Sequence, residues 1–500
     1  MTRWLRNVGT GYADTLVGGV IFIVLTPLFV RELGIEGYAV WILGHTIVFY
    51  LAFLDLGFGN AQVRYHARFV AQGRASDVRA TIATSCVSLV FAGVVAGLIG
   101  TAIALFTPLS WLHLSRELID DFRLVVLLLS AEMLVSFAAS AVENIYEGAN
   151  RFDLRNLRSI GLRVLTAAAQ VIALSRGAGL VEIVAIELGA ACVRLLLDVV
   201  LTSRIMPGWW RAPARLHVRV WRRLRSFALW TSADEALTEG GAQLDNLLIA
   251  ALLPLALLTP YSLCTGVAGL LLMAVEPIVE TFFPMASGMH ARHRRADLSR
   301  LLLLGSKAAM AIAAPLAVFL AFFGHRVLEL WVPEAASSVP NGLMPLVVLD
   351  YVTSMYLWTA TVVIVAIGKT RLAVMLTLAE IALGIVLVLI LTPMYGLLGL
   401  ALASFIANLL LGFCVQIPVV ARAVGVSPAE LMVSTLVRVG LATLPAVLAA
   451  FALQQSTNEP SWSHLFGAAT AIFLVYGACF ALFGTNRKER ALLMVLWTQR

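Results

Sequence analysis

Apolar runs about twenty residues long, broken by short polar or basic segments, recur from one end of the chain to the other. That is the length an α-helix needs to cross hydrocarbon, where only a helix or a closed barrel satisfies every backbone donor and acceptor. The pattern predicts about fourteen spans. The first six cover 8–30, 38–60, 81–106, 123–147, 159–175 and 181–203. A further six follow at 226–252, 258–283, 300–323, 341–367, 372–392 and 397–421, and a last pair at 435–454 and 465–484. The expected fold class is an all-α polytopic membrane protein. It comprises an amino-terminal six-helix lobe (1–203), a basic linker (204–225), a carboxy-terminal six-helix lobe (226–421), and helices 13–14 with a tail (422–500).

Charge sets the expected sidedness. The linker RIMPGWWRAPARLHVRVWRRLR carries seven arginines and no acid, so it stays cytoplasmic. Trp209, Trp210 and Trp221 suit the headgroup level, and a direct part in grasping an anionic substrate stays open. With both termini inside, roughly thirty of the 36 lysines and arginines fall in cytoplasmic segments. The outside loops near 107–122, 324–340 and 455–464 are too short to be domains, which argues against a catalytic ectodomain. Mean hydropathy is +0.90, with 60% hydrophobic and 13% charged residues, so the chain does not read as soluble. The net charge of +7 and pI near 9.4 fit anionic headgroups, since no aromatic-basic nucleic-acid domain is present. Cys86, Cys192, Cys264, Cys414 and Cys479 stand singly in apolar segments, without disulfide or metal spacing. MTRWLR precedes a first run that is too long for a signal peptide and lacks a convincing cleavage site, so it opens the first span.

Both lobes begin in the cytoplasm, so a duplication would be parallel. At an offset of about 220 residues, Gly148-Ala-Asn-Arg151 matches Gly368-Lys-Thr-Arg371, Gly179-Leu180 matches Gly399-Leu400, and Asp14 matches Asp234.

Ionisable groups inside spans are costly and mark function by default. The seventh span is the most polar. At helical spacing Asp234, Thr238, Gly241 and Asp245 share one stripe, with Glu235, Glu239 and Asn246 on the next. Such a face should line a water-filled cavity between lobes, although Asp234 and Glu235 also fit a wet interfacial turn. Thr10, Asp14 and Gly18 share a face of the first span. Glu132, Glu143, Asp350 and Glu380 are embedded singly, whereas Glu187, Arg194 and Asp198 lie on one side of the sixth span, where Arg194–Asp198 reads as an i, i+4 salt pair, with a substrate contact as the alternative. Glu276 and Glu280 flank Pro277. His290-Ala-Arg-His293, among arginines, reads as a solvated turn and not a metal pair.

The segment RELGIEGYAVWILGHTIVFYLAFLDLGFGNAQVRYHA (31–67) resembles the start of bacterial polysaccharide flippases, members of the multidrug/oligosaccharidyl-lipid/polysaccharide exporter superfamily. The resemblance rests on Leu33-Gly34, Tyr38 and Trp41, then Leu54-Asp55-Leu56-Gly57, and is echoed by AIGKTRLAVML (366–376) and YGLLGLALASFIANLL (395–410). It implies a two-lobe transporter that alternates between leaflets, carrying an oligosaccharide on a polyprenyl (pyro)phosphate outward for cell-surface polysaccharide. No cofactor is expected beyond H⁺ or Na⁺ bound by embedded carboxylates, and no catalytic residue or metal. Phosphate would meet Arg64, Arg68, Arg151 and Arg155 at the cytoplasmic mouth, with Arg163 and Lys307 near. Expected partners are the bilayer of the bacterial inner membrane, the lipid-linked oligosaccharide, a polymerase and glycosyltransferases, and no nucleic acid. A multidrug/cation antiporter of the same superfamily also suits so acidic a cavity. A membrane glycosyltransferase, polymerase or ligase would need a catalytic loop that these short loops do not offer.

Overall fold

A computed structural model describes residues 2–107, 116–211, 217–456 and 461–484. The centre of the basic linker (212–216) and the basic tail (485–500) lie outside them. Among the described residues there is no strand. Helices α1 (Thr2–Ala52), α2 (Phe58–Ala71), α3 (Ala75–Phe106), α4 (Arg116–Gly148), α5 (Phe152–Ser175), α6 (Leu180–Ile205) and α7 (Val218–Leu252) come first. They are followed by α8 (Leu258–Ala291), α9 (Arg295–Trp331), the short α10 (Pro333–Ala336), α11 (Leu343–Ala366), α12 (Thr370–Tyr395) and α13 (Leu397–Leu411). Last come α14 (Ile417–Val424), α15 (Pro428–Met432), α16 (Arg438–Ser456) and α17 (Trp462–Cys479).

Among the described residues, eleven helices are long and apolar enough to cross a membrane. The protein is a multi-pass membrane protein. Helix α1 is two helices run together, because Gly34 breaks it at φ 74°, ψ 171°, a backbone that a side chain would strain. That break is the Leu33-Gly34 turn expected between the first two spans. Helix α6 is 26 residues long but carries Glu182, Glu187, Arg194, Asp198 and Arg204, and α7 interleaves acids with its apolar positions over 35 residues. Their charge calls for protein or water beside them.

The chain folds as two compact units, Met1–Thr259 and Pro260–Arg500. Helix α7 packs on α1, α2 and α3, which is why the first unit runs past the basic linker. Tyr50 Oη donates to the Gly240 carbonyl at 2.6 Å, Asn246 Nδ2 to Thr46 Oγ1 at 3.1 Å, and Thr259 Oγ1 to the Ile35 carbonyl at 2.6 Å. Within this unit α3 packs on α4, α4 on α6 and α1 on α5; within the second, α9 packs on α11, α12 on α13 and α16 on α17. Hydrocarbon gives helices no hydrophobic reason to associate, so close backbone approach and polar contacts do more of that work.

Each unit carries the same pair of helix-ending turns. After α2, Gly73 is left-handed (φ 66°) and the Arg74 N–H reaches the Phe69 carbonyl; after α8, His293 is left-handed (φ 55°) and the Arg294 N–H reaches the Met289 carbonyl. Arg74 then pairs with Asp77 at 2.5 Å and Arg294 with Asp297 at 2.6 Å. After α4 and α11 the left-handed residues are Asn150 (φ 59°) and Gly368 (φ 82°). The hydrogen bonds Arg151 N–H to Tyr146 O and Lys369 N–H to Ile364 O close the two turns alike. In structural role Asn150 therefore matches Gly368, 218 residues on (368 − 150), not the 220 of the GANR–GKTR match. His290–His293 is a helix cap, as its setting among arginines suggested.

Candidate functional site: a charged cavity in the first unit

The start of α5 is fastened to the start of α1. Asp153 pairs with Arg6 at 2.5 Å and its N–H donates to Asn7 Oδ1 at 3.0 Å, while Asn156 Nδ2 donates to Thr10 Oγ1 at 3.1 Å. Two turns deeper, α1, α4, α5 and α6 line an open cavity of about 430 Å³. Four carboxylates line it, Asp14, Glu132, Glu143 and Glu187, and four guanidinium groups, Arg155, Arg158, Arg163 and Arg194.

Glu143 is the hub of one end. Its Oε1 lies 3.0 Å from Arg155 Nε, and its Oε2 lies 2.6 Å from Arg194 Nη2 and 3.2 Å from Arg158 Nη2. Arg158 also binds Asp198, whose other oxygen accepts from Tyr146 Oη at 2.8 Å. The side chains of Arg158 and Asp198 are 7% and 0% exposed. Charges this deep persist only because each has a partner; removing one member of such a pair costs about 3–5 kcal/mol. Arg155 further reaches Glu147 at 3.1 Å, and Arg163 Nε lies 3.4 Å from Asp14. Arg155 and Arg163 are half exposed, so N–H groups on their open sides remain free to meet an anion.

The other end is acidic. Glu132 accepts from Ser136 at 3.1 Å, and Glu187 Oε1 accepts from Gln170 Nε2 at 3.0 Å and Trp41 Nε1 at 3.3 Å. His45 Nε2 lies 3.1 Å from Glu187 Oε2.

Of the residues singled out in the sequence, Asp14, Glu132, Glu143, Arg155, Arg163 and Arg194 line this cavity. Arg64 and Arg68 are exposed on α2 and do not line it. Arg151 pairs with Asp153 at 3.1 Å at the head of α5. Glu239 is exposed and Asp245 half-buried on α7, and neither lines the cavity. The side chains of Asp234 and Glu235 lie outside the described residues, as do those of Thr238 and Glu280.

Sequence reasoning missed that Glu132, Glu143, Arg158, Glu187 and Arg194 meet in one place. It also placed the start of the fifth span at 159, which left Arg155 and Arg158 in a loop, whereas α5 begins at Phe152. The Arg194–Asp198 pair within α6 exists at 3.7 Å, but Arg194 lies closer to Glu143 on α4. The signal was the shared helical spacing: Glu132, Ser136 and Glu143 on α4, Arg155, Arg158 and Arg163 on α5, and Glu187, Arg194 and Asp198 on α6.

Solved structures similar to this chain include transporters. The structure of the lipid II flippase MurJ in an inward closed conformation superposes with a TM-score of 0.69 at 12% identity, covering 94% of this chain and 98% of that one. An inward-facing multidrug resistance MATE family transporter of the MOP superfamily gives 0.60 at 15% identity, over 81% of this chain and 95% of the other. The MATE multidrug transporter DinF-BH gives 0.58 at 17% identity, over 82% and 92%. At such identities the likeness is one of fold. No curated protein sequence matches the chain. The profile of a family described as "Polysaccharide biosynthesis protein" matches residues 5–290, more than half of the chain. The chain therefore belongs to the polysaccharide biosynthesis protein family, on a fold shared with lipid and multidrug transporters.

Proposed function

We propose that the protein flips a polyprenyl-(pyro)phosphate-linked oligosaccharide from the inner to the outer leaflet of the bacterial inner membrane, by alternating access. The chain spans the membrane fourteen times with both ends in the cytoplasm, and it works beside a polymerase and glycosyltransferases. The observation that carries this reading is the cavity in which Arg155 and Arg163 keep open guanidinium edges, in a chain of a polysaccharide-biosynthesis family. Guanidinium is the group best suited to phosphate oxygens in a low-dielectric site. Arg64, Arg68 and Arg151 gather the headgroup at the mouth, and embedded carboxylates, Asp14 first and Asp234, Glu235, Glu239 and Asp245 on α7, take up H⁺ or Na⁺. The protein carries out transport and no covalent chemistry.

The test is flipping of a fluorescent polyprenyl-diphosphate saccharide in proteoliposomes. Arg155→Gln with Arg163→Gln should slow it tenfold or more, as about 1.4 kcal/mol of lost anion binding would. An unchanged rate removes the phosphate role from this cavity.

The equal number of carboxylates on the cavity wall favours a second reading, export of an organic cation. Efflux of a cationic dye from the same vesicles, with no saccharide flipping, would establish that one instead.

A further inference from the structure

The acidic end of the charged cavity backs onto a second cavity of the first unit, about 360 Å³ and mostly apolar, walled by Trp41, His45, Phe49, Met133 and Gln243 among others. His45 lines this second cavity, whereas Glu187, in contact with it, lines the charged one; Met133 and Glu132, neighbours on α4, divide in the same way. The partition between the two cavities thus runs through the His45–Glu187 contact.

Hydrogen-bond logic fixes the proton count there. His45 Nδ1 lies 2.9 Å from the Trp41 carbonyl, which can only accept, so Nδ1 carries a proton. In a neutral imidazole that leaves Nε2 bare. Yet Nε2 lies 3.1 Å from Glu187 Oε2, an oxygen closed off from solvent and with no other hydrogen-bond partner. Two bare lone pairs would repel at that distance, so one more proton resides on Nε2 or on Oε2. Glu187 Oε1 is already committed to Gln170 and Trp41, which fixes the carboxyl group's orientation.

We infer that His45 and Glu187 hold an exchangeable proton whose presence raises the affinity of the charged cavity for an anionic headgroup. The inference rests on the phosphate reading above and names how that site is controlled. With the proton the pair is neutral; without it the pair carries one negative charge, in the same cavity wall as Glu132. The other groups facing the pair are the neutral Gln170 of α5 and Gln243 of α7, and on α6 Arg194, two turns beyond Glu187 and engaged with Glu143. A headgroup at Arg155 and Arg163 is therefore bound more tightly when the pair is protonated. By reciprocity the bound headgroup draws a proton in. The proton moves as H⁺ alone, and no covalent bond to the cargo forms or breaks.

The test is binding of farnesyl diphosphate to the purified full-length protein in detergent between pH 6 and pH 8, for wild type, Glu187→Gln and His45→Asn. The asparagine amide still offers a donor to the Trp41 carbonyl, and the glutamine keeps an acceptor for Trp41 and Gln170. Wild-type affinity should weaken about tenfold more than that of either variant as pH rises, within the usual range of a coupling between sites. The probe's own titration is common to all three and cancels. Equal pH slopes in all three proteins overturn the inference and leave the phosphate reading standing. Absence of binding by wild type at every pH overturns both. For a variant that fails to fold, imidazole ¹⁵N shifts of the wild-type protein decide: Nδ1 should stay protonated while Nε2 gains and loses a proton, and a bare Nδ1 overturns the assignment.

Discussion

The two units place polar contacts at matching positions and fill them with different chemistry. Glu132 and Ser136 on α4 recur 218 residues on (350 − 132) as Asp350 and Ser354 on α11, and Glu143 and Asp198 recur as Thr361 and Gln416. In the first unit Ser136 donates to Glu132 at 3.1 Å, and Glu143 and Asp198 are bridged by Arg158 and Arg194. In the second, Gln416 Nε2 donates directly to Thr361 Oγ1 at 2.7 Å, and Asn408 Nδ2 reaches Asp350 Oδ1 and Ser354 Oγ, each at 2.8 Å. The cations vanish with their partners: Arg155, Arg158 and Arg163 correspond to Ala373, Leu376 and Ile381 on α12. A buried ion without its counter-ion is worth less than a neutral pair, so Glu143 and Asp198 are replaced by neutral Thr361 and Gln416 where Arg158 is replaced by Leu376. The comparison teaches that the helix-ending turns and the α3–α4 and α9–α11 pairings are common to the two units, whereas the bridging arginines are found in the first.

Breaking the charged version should therefore hurt far more than breaking the neutral one. Arg158→Met leaves Glu143 and Asp198 short of a cation inside the first unit. We expect about 3–5 kcal/mol of lost stability, read as the unfolding midpoint in detergent, and loss of flipping. Gln416→Leu removes two neutral hydrogen bonds and should cost about 1–3 kcal/mol. Equal losses in the two variants would mean that the arginine network is no more than a polar clasp.

The next contrast lies in the turns. Gly148 and Gly368 align in sequence but are glycine for different reasons. A Cβ on Gly148 would lie 2.8 Å from His66 Cβ, so α2 and α4 approach closely there. Gly368 meets nothing within 4 Å, but its φ of 82° is left-handed. Gly368→Asn should be nearly neutral, since asparagine already serves at the matching Asn150, whereas Gly148→Asn should cost about 1–3 kcal/mol by overpacking. Comparable unfolding midpoints for the two would remove the distinction.

How much of this was legible beforehand follows from what each feature depends on. Span length and charge of loops are local properties, so the helical scaffold, the Gly34 break and the family could be read from residues 8–67 and their echoes. The cavity could not. Glu143, Arg158 and Arg194 are far apart in sequence and meet only because α4, α5 and α6 pack together, and a fifth span begun too late hid Arg158 in a loop. Asp14 and Arg155 were found because each is conspicuous where it stands: a lone acid in an apolar run, and a base after a turn. His45 was invisible as chemistry, since its partner Glu187 lies on another helix.

A third contrast is between titrating and silent contacts under the same turn. His66 is 2% exposed against α4, and burial lowers its pKa from 6.5 to about 4; its counterpart 220 residues on (286 − 66) is the buried Ala286. The folded state thus holds His66 neutral while the unfolded chain protonates it below pH 6.5. The unfolded state then binds more protons, so stability falls as pH drops from about 6.5 towards 4 and is unaffected above that window. The full loss is about 3 kcal/mol, at 1.36 kcal/mol per pH unit. His66→Gln should flatten the dependence of the unfolding midpoint between pH 4 and 6.5. An unchanged slope would assign the acid sensitivity to other groups.

The smallest effect is expected where the two units are most alike. Arg74–Asp77 and Arg294–Asp297 have the same spacing, nearly the same length and the same half-exposed arginine. Ion pairs of that exposure gain little, because water screens the attraction and two long side chains lose freedom to make it. Arg74→Ala and Arg294→Ala should each shift stability by less than about 0.5 kcal/mol, equally in both units. A turn held by its left-handed residue and its backbone bonds does not need the pair, and Gly73 and His293 supply both. A large loss from Arg294→Ala alone would be informative. It would mean that His293, bearing a Cβ in the left-handed region, leans on the ion pair in a way that Gly73 does not.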